Sequence, residues 1–175
     1  MVIAPAHHRR IAAGILSWGQ DLDSETYPFQ CNLAYQVPRK KEADYIGKQA
    51  LEAMRDKIEA GEKPYSNQLV GFTLGGKPIE EYAPDFWLIS EDGSTPIGYL
   101  TSPWYSPELG TNIAMGYVPY DKKAIGTSFK IHLPDEYCDT PGTPVDGVIV
   151  DMPFRPSVNA NARELAKDKG RDTAF

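Results

Sequence analysis

His7-His8-Arg9-Arg10 forms a four-residue cationic cluster at low pH. A guanidinium fork matches a carboxylate or phosphate with two parallel hydrogen bonds, so this run is a candidate anion contact; a solvated terminus is the plainer reading. Asp21 and Asp23 offer hard oxygen donors two residues apart, but two carboxylates without further oxygen ligands nearby describe a turn better than a cation site. His132 stands between Ile131 and Leu133, an alternation that turns it outward from a strand. Trp104-Tyr105, following Thr101-Ser102-Pro103, offer ring faces for stacking, although rings near strand ends more often plug a core. Gly14 and Gly75-Gly76 fit no phosphate-binding fingerprint, and no G-x-S-x-G or H-E-x-x-H motif occurs. These residues make up no catalytic set and no metal-ligand set.

The elements that must position them belong to an ordinary globular composition. The chain has 175 residues, 41% of them apolar, which allows one good-sized domain or a small domain plus part of another. Lys and Arg number 18 against 24 Asp and Glu, for a net charge of −6. That sign argues against nucleic acid and against anionic membranes as partners. No apolar run approaches the roughly 20 residues of a membrane span. The opening MVIAPAHHRR puts its charges after its apolar stretch, the reverse of a secretory signal. Cys31 and Cys138 form no C-x-x-C pair, which favours two reduced thiols in a cytoplasmic protein over a single bridge in an oxidising compartment.

Residues 1–43 show no clean period, and Pro5, Gly14, Gly19, Pro28 and Pro38 interrupt them. Asp44 to Ala60 reads as a helix packed on one side: Ile46, Ala50, Leu51, Met54 and Ile58 make one stripe, with Asp44 as N-cap and Gly61 and Pro64 as the stop. From Asn67 the period changes to two. Strands are expected over the stretches from Asn67 to Leu74, Phe86 to Ser90, Ile97 to Thr101, Asn112 to Tyr120, Ser128 to Leu133 and Val145 to Asp151. Asp92-Gly93 between the second and third marks a hairpin. Strands at this spacing without intervening helices predict a closed barrel or a small antiparallel sandwich. The chain thus divides into residues 1–65, an incomplete α/β segment with one amphipathic helix; 66–156, an all-β module; and 157–175, a tail expected as a loosely held helix. The fold class is α+β, mainly antiparallel β.

Several segments together resemble one family. Arg10-Ile11-Ala12-Ala13-Gly14-Ile15, then Trp18-Gly19-Gln20-Asp21-Leu22-Asp23 and Tyr27-Pro28, resembles the R-x-E-x-G … Y-G-x-D-[IL]-x … T-P stretch of the glycine cleavage T protein (aminomethyltransferase). Tyr45-Ile46-Gly47-Lys48-Gln49-Ala50-Leu51 resembles the F-[IT]-G-K-x-A-L helix start of that superfamily. This version is especially like the folate-binding halves of dimethylglycine and sarcosine dehydrogenases and the dimethylsulfoniopropionate demethylase. Gly98-Tyr99-Leu100-Thr101-Ser102, Ser106-Pro107 and Asn112 through Pro119 resemble the strand pair of its C-terminal barrel. Gly126-Thr127 and Met152-Pro153-Phe154-Arg155-Pro156 resemble its P-G-T and its closing M-P-F-x-P. Order and spacing agree over residues 10–156.

The resemblance implies the C-terminal portion of a tetrahydrofolate-dependent one-carbon transferase, with a barrel that caps the folate and a small methylated substrate as the second ligand. It implies that the catalytic aspartate and the pterin-gripping glutamate lie before the Arg10 motif, so no residue of this chain is expected to be catalytic and an upstream half or a partner subunit must hold the chemistry. A homodimer is a further possibility for covering the N-terminal piece. Arg10 matches the arginine that helps hold tetrahydrofolate; Thr101, Ser102 and Tyr105 match the barrel strand and loop that close over the folate cleft. Ala12 stands where many members have Glu, and Trp18, where Tyr is common, is expected as a packing variant. A non-catalytic folate-binding or partner-binding module is the alternative.

Overall fold

In the computed structural model, which describes residues 7–39, 42–83 and 85–154, the strands close into a barrel. The strands are β1 (Asn67–Leu74), β2 (Trp87–Ser90), β3 (Pro96–Ser106), β4 (Thr111–Pro119), β5 (Ser128–Ile131) and β6 (Val145–Val150), in the order β1-β4-β3-β2-β5-β6 with every pair antiparallel. Closure removes the sheet edges that a sandwich would expose. All the expected strands are present, and of the two architectures the barrel is the one formed. At the β2–β3 turn, the Asp92 carboxylate accepts from the Ser94 N–H at 2.9 Å and the Thr95 N–H at 3.2 Å, while Gly93 takes φ 83°. The Asp-Gly signal is therefore met by both of its residues.

Alternation sends Val70, Phe72 and Leu74 of β1 inward, where they join Leu100, Ala114, Val118, Phe129, Ile131 and Ile149. Phe72 and Phe129 meet edge to face, their centroids 6.2 Å apart. The outward positions of β1 and β4 are buried as well. Leu69, Ile113, Met115 and Tyr117 make a second core with Ile11, Ala12 and Cys31 from the N-terminal segment. A period-two strand normally leaves one face to water; here that face is roofed. Each large side chain so buried contributes about 1.5–3 kcal/mol, which is how an irregular segment is held against the barrel.

The roof starts with helix α1 (His7–Ala12), which the sequence did not signal because six residues are too few for a period. Hydrogen bonds then seat residues 28–32 on β1: Leu69 N–H donates to the Gln30 carbonyl at 2.9 Å, and the Asn32 side-chain amide donates to the Leu69 carbonyl at 2.8 Å. At the other end, Met152 and Phe154 fold back over Gly71, where a Cβ would stand 2.5 Å from Met152 Cγ.

Helix α2 (Lys48–Glu59) begins later than expected. Gly47, at φ 86°, is its N-cap, so Asp44 lies outside the helix and Ile46 is fully exposed rather than part of an apolar stripe. The residue α2 buries is Arg55, which donates to the Val37 carbonyl and lies 5.1 Å from the centre of the Phe29 ring. A cation over a ring replaces the all-apolar contact that the spacing implied. The tail expected over 157–175 lies outside the described residues.

The thiols sit in different cores, Cys31 in the second and Cys138 inside the barrel. Burial pushes the Cys31 thiol up to about 11, and the thiolate is the reactive form. At pH 8 a thiol reagent should therefore label Cys31 about a hundredfold more slowly than in the urea-unfolded chain. Mass-spectrometric pulse labelling checks this; labelling at the unfolded rate would mean that the roof does not stay closed.

Candidate functional site

Thr101 and Ser102 are successive residues of one strand, and alternation should turn them to opposite faces. A bulge prevents it. Leu100 pairs with Gly116 and Ser102 with Met115, so Thr101 is the extra residue on β3. A bulge re-aims side chains, and both hydroxyls here reach the same atom: Thr101 Oγ1 donates to Asp21 Oδ1 at 2.5 Å, and Ser102 Oγ donates to that oxygen too. Gly116 faces the bulge at close range, where a Cβ would stand 2.7 Å from the Tyr99 carbonyl oxygen and 3.0 Å from Leu100 Cα.

Asp21 is the hub of the site. Its residue is 1% exposed. Its Oδ2 accepts from Arg10 Nη1 at 2.9 Å and from the Ser17 N–H at 2.8 Å, while its backbone carbonyl accepts from the Tyr117 hydroxyl at 2.7 Å. The turn expected around Asp21 is present, but the side chain points into the protein rather than to solvent, because the bulge hydroxyls and Arg10 together satisfy a buried carboxylate. Its oxygens are thereby committed to protein donors. Asp23, by contrast, is exposed, and hydrogen bonds from the Glu25 N–H and the Thr26 hydroxyl hold its carboxyl below the usual range.

Arg10 completes the arrangement. Besides Asp21, its Nη1 donates to the Ile15 carbonyl at 3.2 Å; Nη2 donates to Gln20 Oε1 at 2.9 Å and to Ser102 Oγ at 2.8 Å. Gln20 in turn donates to the Thr101 carbonyl at 2.7 Å. All four Nη protons are thus held within the chain, so a bidentate grip on an external anion would require exchanging existing partners. The remaining donor, Nε, is buried without a partner.

The cationic run does not act as one cluster. His7 stacks on Trp104 with centroids 5.3 Å apart, and burial, then the nearby charge of Arg10, lowers its imidazole below the ordinary value. His8 and Arg9 border a shallow recess with Ser106, Pro107 and Glu108. Arg10, Thr101 and Ser102 are brought together; Tyr105 lies further along β3, half-buried, with its backbone N–H donating to the Ile79 carbonyl at 2.7 Å. His132 follows β5, its Nε2 2.8 Å from Ser90 Oγ. Trp18 is 70% exposed and is no packing residue, because its neighbour Asp21, rather than its ring, anchors the loop. The residues missed from sequence are Asp21 as an anchor, Gln20 and Tyr117. The available signal was the pair of adjacent hydroxyls in a strand, which breaks alternation.

Known proteins match this chain over most of its length. The model of the glycine cleavage T-protein C-terminal barrel domain matches residues 67–154. An aminomethyltransferase of Halothermothrix orenii is 34% identical over 145 residues, covering 83% of this chain and 36% of that protein. A dimethylsulfoniopropionate demethylase of Ruegeria pomeroyi is 32% identical over 133 residues, covering 75% and 33%. The crystal structure of the glycine cleavage system aminomethyltransferase T from Bartonella henselae superposes with a TM-score of 0.65 at 25% identity, covering 85% of this chain and 37% of that one. The chain spans about a third of the length of these relatives. No helix among the described residues is long and apolar enough to cross a membrane. With its closed six-strand barrel and the β3–β4 segment that the motifs marked, the chain belongs to the glycine cleavage T-protein C-terminal barrel family.

Proposed function

We propose that this chain is the barrel portion of a cytoplasmic, tetrahydrofolate-dependent one-carbon transferase, an aminomethyltransferase or demethylase, and caps the folate. Polypeptide equivalent to the rest of the relatives' length would carry the catalytic groups and the small methylated substrate. When bound, tetrahydrofolate supplies the one-carbon chemistry, and the protein's share is orientation and exclusion of water. The observation that carries this reading is the unpartnered, buried Nε of Arg10 beside the bulge. A buried donor without an acceptor is costly, and a carboxylate or carbonyl oxygen of the ligand would satisfy it once the side chains that cover Nε move aside. The fit is through one donor rather than a guanidinium fork. Thr101 and Ser102, committed to Asp21, hold Arg10 in place, and Tyr105 would face the folate from further along the strand.

Calorimetric titration of the chain with tetrahydrofolate tests the reading. Arg10→Lys retains a cation for Asp21 but removes the Nε–H, and losing one hydrogen bond to a charged group costs about 1.5–3 kcal/mol. The affinity should fall at least tenfold. A single ammonium cannot replace the four Nη bonds, so the melting temperature should fall as well, and the titration is made at a temperature where melting shows both proteins folded. Equal affinity in both proteins would overturn the role of Arg10. A second reading, a non-catalytic folate-binding or partner-binding module, is favoured by the internal commitment of all four Nη protons; absence of heat with either protein would select its partner-binding form.

A further inference from the structure

Helix α1 presents a second set of polar side chains on the side away from Arg10. Successive helical residues stand about 100° apart, so His8 and Ala12 lie one above the other with Arg9 beside them, while Arg10 is about 200° around from His8. Arg10 faces the Asp21 clasp; His8, Arg9 and Ala12 border a recess of about 190 Å³ whose other wall is Ser106, Pro107 and Glu108, at the end of β3. That second wall is braced. The Ser106 carbonyl accepts from the Gly110 N–H at 2.8 Å, its Oγ accepts from the Leu109 N–H at 3.3 Å, and the Pro107 ring fixes φ between them. Ser106 is 3% exposed, yet its own O–H meets no acceptor among the described residues. A buried hydroxyl proton needs an acceptor, from the chain or from whatever fills the recess. The His8 imidazole and the Arg9 guanidinium likewise make no hydrogen bond or ion pair among the described residues.

The two walls carry opposite charge, Arg9 on the helix and Glu108 on the turn. The Glu108 carboxylate repels a bare anion and the Arg9 guanidinium repels a bare cation. A molecule with one charge of each sign suits both. We infer that this recess binds a small zwitterion, an ammonium carboxylate whose carboxylate meets Arg9 and the Ser106 hydroxyl and whose ammonium meets Glu108. A guanidinium fork offers the carboxylate two parallel hydrogen bonds. Size points the same way. A water takes about 30 Å³ of liquid, so the recess holds on the order of six, the bulk of a molecule of only a few heavy atoms. Drug-sized ligands occupy roughly 300–1,000 Å³. Arg9 and Glu108 are both exposed, so each ion pair is weak, and a dissociation constant of about 1–10 mM is expected. The site shares no residue with the one proposed for folate, and filling it leaves every Nη partner of Arg10 in place.

The test follows backbone amide signals of the isotope-labelled chain by NMR at low ionic strength, where exposed charges are least screened. The probes are glycine, β-alanine and γ-aminobutyrate, whose charges stand progressively further apart, with acetate and methylamine as single-charge controls. At least one zwitterion should move the Ala12, Leu109 and Gly110 signals saturably, and each control should bind about threefold more weakly or worse. The Ser17 and Gln20 signals at the clasp should stay in place. Arg9→Gln and Glu108→Gln change exposed side chains, and thermal melting checks that both variants are folded. Each should weaken the zwitterion about threefold or more. Acetate binding as tightly as every zwitterion would make the recess a plain anion contact, and shifts that persist unchanged in both variants would put the ligand elsewhere; either result overturns the proposal. So does the absence of saturation with all three zwitterions. Arg10 is untouched throughout, so failure here leaves the folate reading standing.

Discussion

Asp21→Ala should lower stability by about 3–5 kcal/mol, the range for removing one partner of a buried ion pair. The Arg10 side chain is 13% exposed, so little water reaches a guanidinium that has lost its counter-ion. The Ser17 N–H and the Thr101 and Ser102 hydroxyls lose their acceptor in the same step. Since a domain of this size has only about 5–15 kcal/mol in total, the loss should appear as separation of the roof before the barrel melts. Pulse labelling reads this directly: Cys31, in the second core, should react at least tenfold faster, while Cys138, inside the barrel, should keep its rate. Asp21→Asn retains an oxygen for Arg10 and an amide for the hydroxyls, which can accept as well as donate, and should lose roughly half as much. Arg10→Met should cost less in the Asp21→Ala background than alone, because the unpaired cation is then removed. Equal acceleration at both thiols would mean that roof and barrel unfold as one unit and would refute the clasp.

How much of this could be read beforehand follows from which interactions are periodic. The barrel strands were legible because their inward residues recur every second position, and the β2–β3 turn because Asp-Gly has a local conformational meaning. The second core was less visible, yet a trace existed: Ile113 through Val118 contains no charged residue, as expected of a strand buried on both faces. The helix was expected from Asp44 because the stripe included Ile46, whereas Gly47 in the αL conformation caps α2 and the helix begins at Lys48. The motif resemblance selected Arg10, Thr101, Ser102 and Tyr105; the structure brings the first three side chains together and leaves Tyr105 further along β3. It was silent about what joins them. Asp21 lies 80 positions from Thr101, and no local pattern announces that a loop carboxylate will enter a barrel wall. Such a contact depends on the bulge, which changes the facing of a side chain without changing the residues around it.

Gly116→Ala tests that dependence at the bulge itself. The added Cβ would meet backbone on the paired strand, the Tyr99 carbonyl oxygen at 2.7 Å and Leu100 Cα at 3.0 Å, besides Leu100 Cδ2 at 2.9 Å. Rotating a side chain relieves only the last of these, so β3 and β4 must separate where the ladder shifts register. Overpacking of this kind costs about 1–3 kcal/mol, and the upper part of that range is expected here because the obstruction is backbone. Gly71→Ala provides the control. Its Cβ would approach Met152 Cγ at 2.5 Å and the Phe154 ring at 3.0 Å, both side-chain atoms of the segment after β6 that can shift outward. Its cost should be about 1 kcal/mol, measured by urea unfolding. The two variants should also differ in kind. Widening the bulge moves Thr101 and Ser102 away from Asp21, so Gly116→Ala should accelerate Cys31 labelling and weaken any tetrahydrofolate heat together, whereas Gly71→Ala should leave the folate heat unchanged. If Gly116→Ala proves no more damaging than Gly71→Ala, the bulge yields easily and does not aim the two hydroxyls; the clasp would then owe its geometry to the Asp21 loop, which would have to reach the hydroxyls wherever the strand presents them.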